Sequence, residues 1–269
     1  MRAEPPSARQ LRAQKDRRGF FILGGCAVLL VSGAAALTSA RTHPRDQNTS
    51  CRHGEKPDLQ TYVIVDRSDP WTETQTALLR AALSGIARSI STEDRLTLIP
   101  FDGSAAHPAN PLFDRCKTPD ASATNSAYQN PARAEKAHQE NFLKPLEATI
   151  AAITKPSRAK ETHLVAFLSD LAAQIQYEGG AAKTRIVIFS DMAENTPALS
   201  VYAKAKGQFT NQNFARYFTG RIRDHLSNIR TEIYLMPPPG RSPDIEKRIK
   251  TAWTYAFTSA ALDFSIKEF

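Results

Sequence analysis

The chain has 269 residues, of which 41% are hydrophobic and 23% charged, with a formal net charge of +8 at pH 7. That balance belongs to a globular protein with a core of its own, and it excludes a chain disordered throughout. Residues 1–19 hold six cations (Arg2, Arg9, Arg12, Lys15, Arg17, Arg18) against Glu4 and Asp16, so +4 of the +8 lies there. The rest of the chain shows no basic stripe interleaved with aromatics, and a nucleic-acid partner is not expected.

Directly after this basic segment, Phe20 to Ala40 contains no charged residue in 21 positions. A helix of that length spans roughly 30 Å, the thickness of a bilayer's hydrocarbon core. Clustered cations stay on the cytoplasmic side. The segment therefore reads as a single-pass anchor of the cytoplasmic (inner) membrane, with the amino terminus inside and the soluble part periplasmic. The division is 1–19 cytoplasmic, 20–40 transmembrane signal anchor, 41–58 juxtamembrane linker and 59–269 α/β domain. A cleaved signal peptide is the other reading, with Thr38 and Ala40 as the small residues before the cut. The long basic region and long apolar run favour the anchor. Cys26 follows Leu23-Gly24-Gly25 as in a lipoprotein box, but most of the apolar run comes after it, and it reads as a membrane-buried residue.

Two cysteines, Cys51 and Cys116, fall in the exported part. An even pair in an oxidising compartment predicts one disulfide. Two unpaired thiols are the alternative, since sequence does not carry the distance between them.

Beyond the linker, strands and helices alternate. Thr61 to Val65 is a β-branched buried strand. Asp66 to Asp69 form a polar junction, and Pro70 suits the first turn of a helix carrying Trp71, Leu78, Leu79, Leu83, Ile86 and Ile90. Arg95 to Phe101 is the second strand. Asp102 to Pro131, rich in Pro, Asn, Ser and Ala, reads as a long functional or partly disordered loop. Helix follows from Ala132 to Ile153, with a kink near Pro145, and again from Thr162 to Tyr177. Arg185 to Ser190 is a buried strand ending on Asp191. A helix at Asn211 to Asn228, a strand at Thr231 to Met236 and a helix at Pro243 to Thr258 come next, and Leu262 to Ile266 is a candidate final strand. The pattern predicts an α/β fold: a mainly parallel sheet flanked by helices, preceded by one transmembrane helix.

In such sheets ligands collect beyond the carboxyl ends of the strands. Asp66 and Ser68 follow the first strand, Asp191 follows the central one, and Thr162 opens the helix before it. Carboxylates and hydroxyls meeting at one sheet edge suit a hard divalent cation such as Mg²⁺ or Mn²⁺. Each residue also has a plainer explanation: Ser68-Asp69-Pro70 as a helix start and Thr162 as an N-cap. The six histidines show no metal-ligand spacing, and there is no glycine-rich phosphate loop and no Gly-x-Ser-x-Gly elbow.

The order Asp66-Arg67-Ser68-Asp69-Pro70, then Thr162, then Ser190-Asp191 resembles the von Willebrand factor A-type domain over about residues 59–260. That family's metal-ion-dependent adhesion site uses Asp-x-Ser-x-Ser, a distant Thr and an Asp after the fourth strand. The resemblance implies a non-catalytic interaction module in which Asp66, Ser68 and Thr162 hold the metal, Asp191 acts mainly through water, and a carboxylate of another envelope protein completes the coordination. Pro70 departs from the pattern, standing where the second Ser would be. Either Asp69 or water substitutes, or the metal has been lost and docking is metal-independent. A metal-dependent phosphohydrolase using Asp66 and Asp191 is the reading from a different class, weakened by Ser68 where a second Asp would be wanted.

Overall fold

The short β-branched runs become strands and the longer amphipathic runs between them become helices. The computed structural model describes residues 25–33, 44–104, 110–124, 130–155, 157, 159–203 and 209–268. Strand β1 (Leu59–Asp66) leads into α1 (Glu73–Ser89), β2 (Arg95–Phe101) and β3 (Phe113–Cys116). Then come α2 (Pro131–His138), a π-helical turn (Gln139–Leu143), α3 (Lys144–Ile153) and α4 (Leu164–Glu178). The chain finishes with β4 (Lys183–Ser190), α5 (Asn211–Leu226), β5 (Arg230–Leu235), α6 (Pro243–Ser259) and β6 (Phe264–Glu268).

The strands form one sheet in the order β3-β2-β1-β4-β5-β6. β1 runs parallel to β2 and β4, β4 to β5 and β5 to β6, while β3 joins β2 antiparallel. The expected mainly parallel sheet flanked by helices is therefore present. Chain order moves outward from β1 to β2 on one side, then restarts at β4 and moves outward on the other. The point between β1 and β4 is the switch point of a doubly wound sheet.

Side chains alternate across β1, and both faces are covered. Ile64, Phe101, Ile188 and Ile233 face α4, α5 and α6 through Leu168, Phe214, Phe218, Trp253 and Phe257. Val63, Val65, Leu98 and Phe189 face α1 and α3 through Leu79, Leu83, Leu146 and Ile150. A fully buried aromatic such as Phe218 typically contributes about 3–5 kcal/mol, judged by the cost of truncation. Two-sided burial explains why the central strands read as unbroken apolar runs.

Several boundaries differ from the sequence reading. α1 starts at Glu73, three residues after Pro70, because Thr72 forms a capping box with Gln75. Its hydroxyl accepts from the Gln75 amide at 3.1 Å, and the Gln75 side chain accepts from the Thr72 amide at 2.9 Å. Such a cap is worth about 1 kcal/mol, and the Ser68-Asp69-Pro70 turn lies outside the helix. β3 sits inside the segment read as a loop; four residues, Phe-Asp-Arg-Cys, are too few to show a period. The break expected near Pro145 takes the form of the π-helical turn just before it. β6 starts two residues later than Leu262.

The expected disulfide joins Cys51 to Cys116, with Cα atoms 4.9 Å apart. It ties residues 45–58 to the end of β3, where the Cys116 amide also donates to the Thr49 carbonyl at 2.8 Å. Arg45 and Arg52 both pair with Glu93. Of the expected membrane span, 20–40, only 25–33 falls among the described residues, and it is helical. Among the described residues no helix is long and apolar enough to cross a membrane.

Candidate functional site

The carboxyl ends of β1 and β4 lie side by side because Val65 pairs with Phe189 in the parallel ladder. That register sets Asp66, the last residue of β1, against Ser190, the last residue of β4. The Ser190 hydroxyl donates to Asp66 Oδ2 at 2.6 Å, and the Ser68 amide donates to Asp66 Oδ1 at 2.9 Å. Trp71 donates its indole N–H to the Asp66 carbonyl at 2.7 Å. Asp66 is thereby held in one orientation, 5% exposed.

Asp191, the next residue after β4, accepts from the Ala193 amide through Oδ1 at 3.0 Å. Between them Met192 takes a left-handed backbone, φ 57°, which is strained for a residue with a side chain. Trp253 steadies this turn by donating to the Met192 carbonyl at 2.7 Å. Three residues on, the buried Glu194 carboxylate accepts from the Val165 amide at 3.0 Å, in the first turn of α4.

Asp66, Ser68, Asp69, Ser190 and Asp191 line one cavity of about 20 Å³, room for a single water-sized occupant. The sequence-predicted residues Asp66, Ser68, Asp69 and Asp191 thus come together. Thr162 lies apart from the cavity lining. It is not an N-cap either: its amide and carbonyl pair with Asn195 at 2.9 and 3.0 Å, in a strap that crosses Gly103. Gly103 is the residue that lets the strap pass. Its φ is +89°, and a Cβ there would stand 2.7 Å from the Glu161 carbonyl oxygen.

Burial pushes the Asp66 carboxyl up to about 7, with the neighbouring Asp191 charge adding to the rise and the Ser190 and Ser68 hydrogen bonds opposing it. Asp69 is raised by burial and then by Asp191, against the pull of Arg241. Burial also raises Glu194 to about 7, despite the bonds it accepts from Val165 and Tyr217.

Arg241 is the residue that sequence reasoning missed. It lies 50 positions after Asp191 in a proline-rich loop, yet its guanidinium forms an ion pair with Asp191 Oδ2. The same nitrogen donates to the Tyr202 hydroxyl at 2.6 Å. The two charged side chains are 5% and 6% exposed. On the far side of this pair is a second cavity, about 370 Å³, lined in part by Arg241, Ile249, Lys247, Lys250 and Glu268.

This donor set does not fit a divalent ion. Asp191 already holds a guanidinium, Asp66 is pushed toward its neutral form, Thr162 is not in the cavity wall, and Pro70 offers no side-chain oxygen. A doubly charged ion about 4 Å from a guanidinium meets about 8 kcal/mol of repulsion at an effective dielectric of about 20. Among the described residues no group of three or more His, Cys, Asp and Glu side chains is placed to hold a metal ion.

No protein-family model matches the chain. No curated protein matches it either. Several solved structures align with it. The pilus adhesin SpaC from Lactobacillus rhamnosus GG, in its open conformation, is 10% identical, with a TM-score of 0.43 over 84% of this chain and 29% of that one. The human COPII-coat protein Sec24c is 9% identical, with a TM-score of 0.39 over 81% of this chain and 31% of that one. An aerotolerance-related membrane protein from Bacteroides fragilis is 11% identical, with a TM-score of 0.36 over 78% of this chain and 90% of that one. The chain spans about a third of the length of SpaC and of Sec24c. At these scores the alignments carry no conclusion about what this chain does.

Proposed function

We propose that this chain is a membrane-anchored, von Willebrand A-like docking module that presents its strand-end surface to another envelope protein. The observation that carries the reading is the convergence of Asp66, Ser68, Asp69 and Asp191 on one cavity at the switch point of the sheet. Trp71 lines this cavity and Tyr202, 39% exposed, lies beside it on Arg241, and Trp and Tyr are among the side chains that dominate binding energy at protein interfaces. In this reading the module is non-catalytic and docks without Mg²⁺ or Mn²⁺, because the donor set is already satisfied by a side chain. Two features support a position on the outer side of the cytoplasmic membrane. The Cys51–Cys116 bond suits an oxidising compartment. Within the helical stretch 25–33, Val28, Leu29, Leu30 and Val31 are 65–74% exposed, an apolar surface that suits lipid.

The test is photo-crosslinking in the native cell, with a benzoyl-phenylalanine replacing either Tyr202 or Tyr177 in the full chain. Tyr177 is 93% exposed and lies near the carboxyl end of α4, at the opposite end of the sheet. The expected result is a discrete adduct from position 202, unaffected by EDTA, and none from 177. Equal labelling from both positions would sink the docking reading, as would no labelling from 202. An adduct lost on chelation would restore the metal-bridged version.

A further inference from the structure

We infer that the end of the sheet opposite Asp66 carries a second site, which binds a neutral polyhydroxylated ring, a single pyranose sugar. The site is a cleft of about 220 Å³ between α4 and the first halves of β1 and β2, with β3 as its outer wall. It goes beyond the docking reading and shares no lining residue with the strand-end cavity.

The floor of the cleft is polar at positions where the fold calls for apolar residues. Strand register sets Tyr62 beside Thr97, Thr97 beside Asp114 and Gln60 beside Arg95, all on one face of the sheet. Two residues further along that face, Ile64 and Ile99 join the apolar core. Gln60, Tyr62 and Thr97 are each at most 6% exposed. Burying polar side chains costs free energy unless they are paired, and rows of them at core positions mark functional sites. Part of the row holds β3 in place. Arg95 Nε donates to Asp114 Oδ1 at 2.7 Å, the Thr97 hydroxyl donates to the same oxygen at 2.9 Å, and Gln60 Nε2 donates to Thr97 at 3.2 Å. Tyr62 and Glu178 bring a hydroxyl and a carboxylate to the lining beyond that chain.

Charge and shape decide the class of ligand. Asp114 engages the Arg95 guanidinium through two nitrogens, so the described lining offers no uncommitted cation to an anionic ligand. Asp114 and Glu178 would repel one. Burial pushes the Tyr62 hydroxyl up to about 12, with the Glu178 charge adding to the rise, so at neutral pH it keeps its proton and donates. The side-chain amides of Gln60 and Gln174 both donate and accept, and the two carboxylates accept. A hydroxyl donates and accepts at once, so a ring bearing several matches this alternation. Ile99, Leu171 and Ile175 give the cleft an apolar wall, which suits the C–H face of a sugar. Its volume falls below the about 300–1,000 Å³ of pockets for drug-sized molecules, which limits the occupant to a single ring. The Cys51–Cys116 bond pins the end of β3, so Asp114 is in place before a ligand arrives.

The experiment is saturation-transfer NMR on the full-length chain, held in a detergent without a sugar headgroup. The probes are glucose, galactose and mannose, with glucuronate and cyclohexanol as controls. At least one of the three neutral sugars should give a saturable signal. Glucuronate, which adds a carboxylate, and cyclohexanol, which lacks the set of hydroxyls, should bind at least about tenfold more weakly than that sugar. Tyr62→Phe removes one oxygen and keeps the ring, and should weaken sugar binding about tenfold. Glu178→Gln, on the exposed side of the cleft, should weaken it about threefold and supplies the same reading if the phenylalanine variant does not fold. No saturable signal from any of the three sugars overturns the proposal. So does either control binding as tightly as the sugars, and so does sugar binding that the folded variants leave unmoved.

Discussion

Two clusters of buried charge in the same sheet behave in opposite ways. At the strand ends, Arg241 pairs with Asp191, while the carboxylates of Asp66 and Glu194 accept hydrogen bonds from neutral groups. On β5, the single carboxylate of Glu232 is met by Arg185 at 3.0 Å, Lys267 at 3.2 Å and Arg230 at 3.3 Å. Burial pushes all three of Asp66, Glu194 and Glu232 upward. It wins for Asp66 and Glu194, which reach about 7. It loses for Glu232, whose bonds to Arg185 and Lys267 hold it below the ordinary value. Bonds to two cations offset desolvation at Glu232, whereas the bonds to Asp66 and Glu194 come from neutral donors.

Breaking the lone pair should have the largest effect. Arg241→Gln leaves Asp191 buried beside Asp66, and unfolding by urea at neutral pH should show a loss of about 3–5 kcal/mol. Arg185→Gln leaves Glu232 two other cations and should lose only about 1 kcal/mol. Equal losses from the two substitutions would erase the distinction between the clusters.

The pH dependence sharpens it. Glu194 binds its proton more tightly folded than unfolded, so its protonation favours the folded state in acid. That contribution is lost as pH rises from the ordinary value of 4.5 through about 7. In Glu194→Gln the amide oxygen still accepts from Val165, while the titrating group, which faces Tyr217 and Arg221, is gone. Relative to the wild type, the variant should gain up to about 3 kcal/mol between mildly acid and mildly alkaline pH. A gap that stays constant across that range would show that burial does not govern this carboxyl.

Glu232→Gln should show the smallest effect and the opposite sign. The depressed acid stabilises the fold above its ordinary value of 4.5, and that contribution is lost as pH falls through the lower folded value. The variant should be less stable than the wild type at neutral pH by under about 1 kcal/mol, with the gap closing in acid and in high salt. A gap that widens in acid would contradict the three-cation account.

How much was legible beforehand depended on range. The runs around Val63, Leu98, Ile188 and Ile233 announced their strands because two-sided burial demands continuous apolar residues. The Thr72 and Gln75 capping box was present in the sequence, yet Pro70 drew the helix start three residues early. β3 was hidden because Phe113 to Cys116 is held in the sheet by its ladder with β2 and by the Cys116 bond, not by any pattern of its own. Asp66, Ser68 and Asp191 were legible because strand ends in a parallel sheet point to one edge. Tyr202 and Arg241 were not, since no local spacing links either to Asp191.

By itself, then, the sequence determined the α/β alternation, the acids at the ends of β1 and β4, and the two cysteines available to pair. These follow from local periodicity and composition, which act over a few residues. Only the tertiary structure decided that Thr162 stands outside the cavity wall, that Cys51 reaches Cys116, and that a guanidinium closes the acidic site. Those outcomes depend on which distant segments the packed sheet brings together. The desolvation that makes the Asp191–Arg241 pair consequential exists only once both side chains are buried.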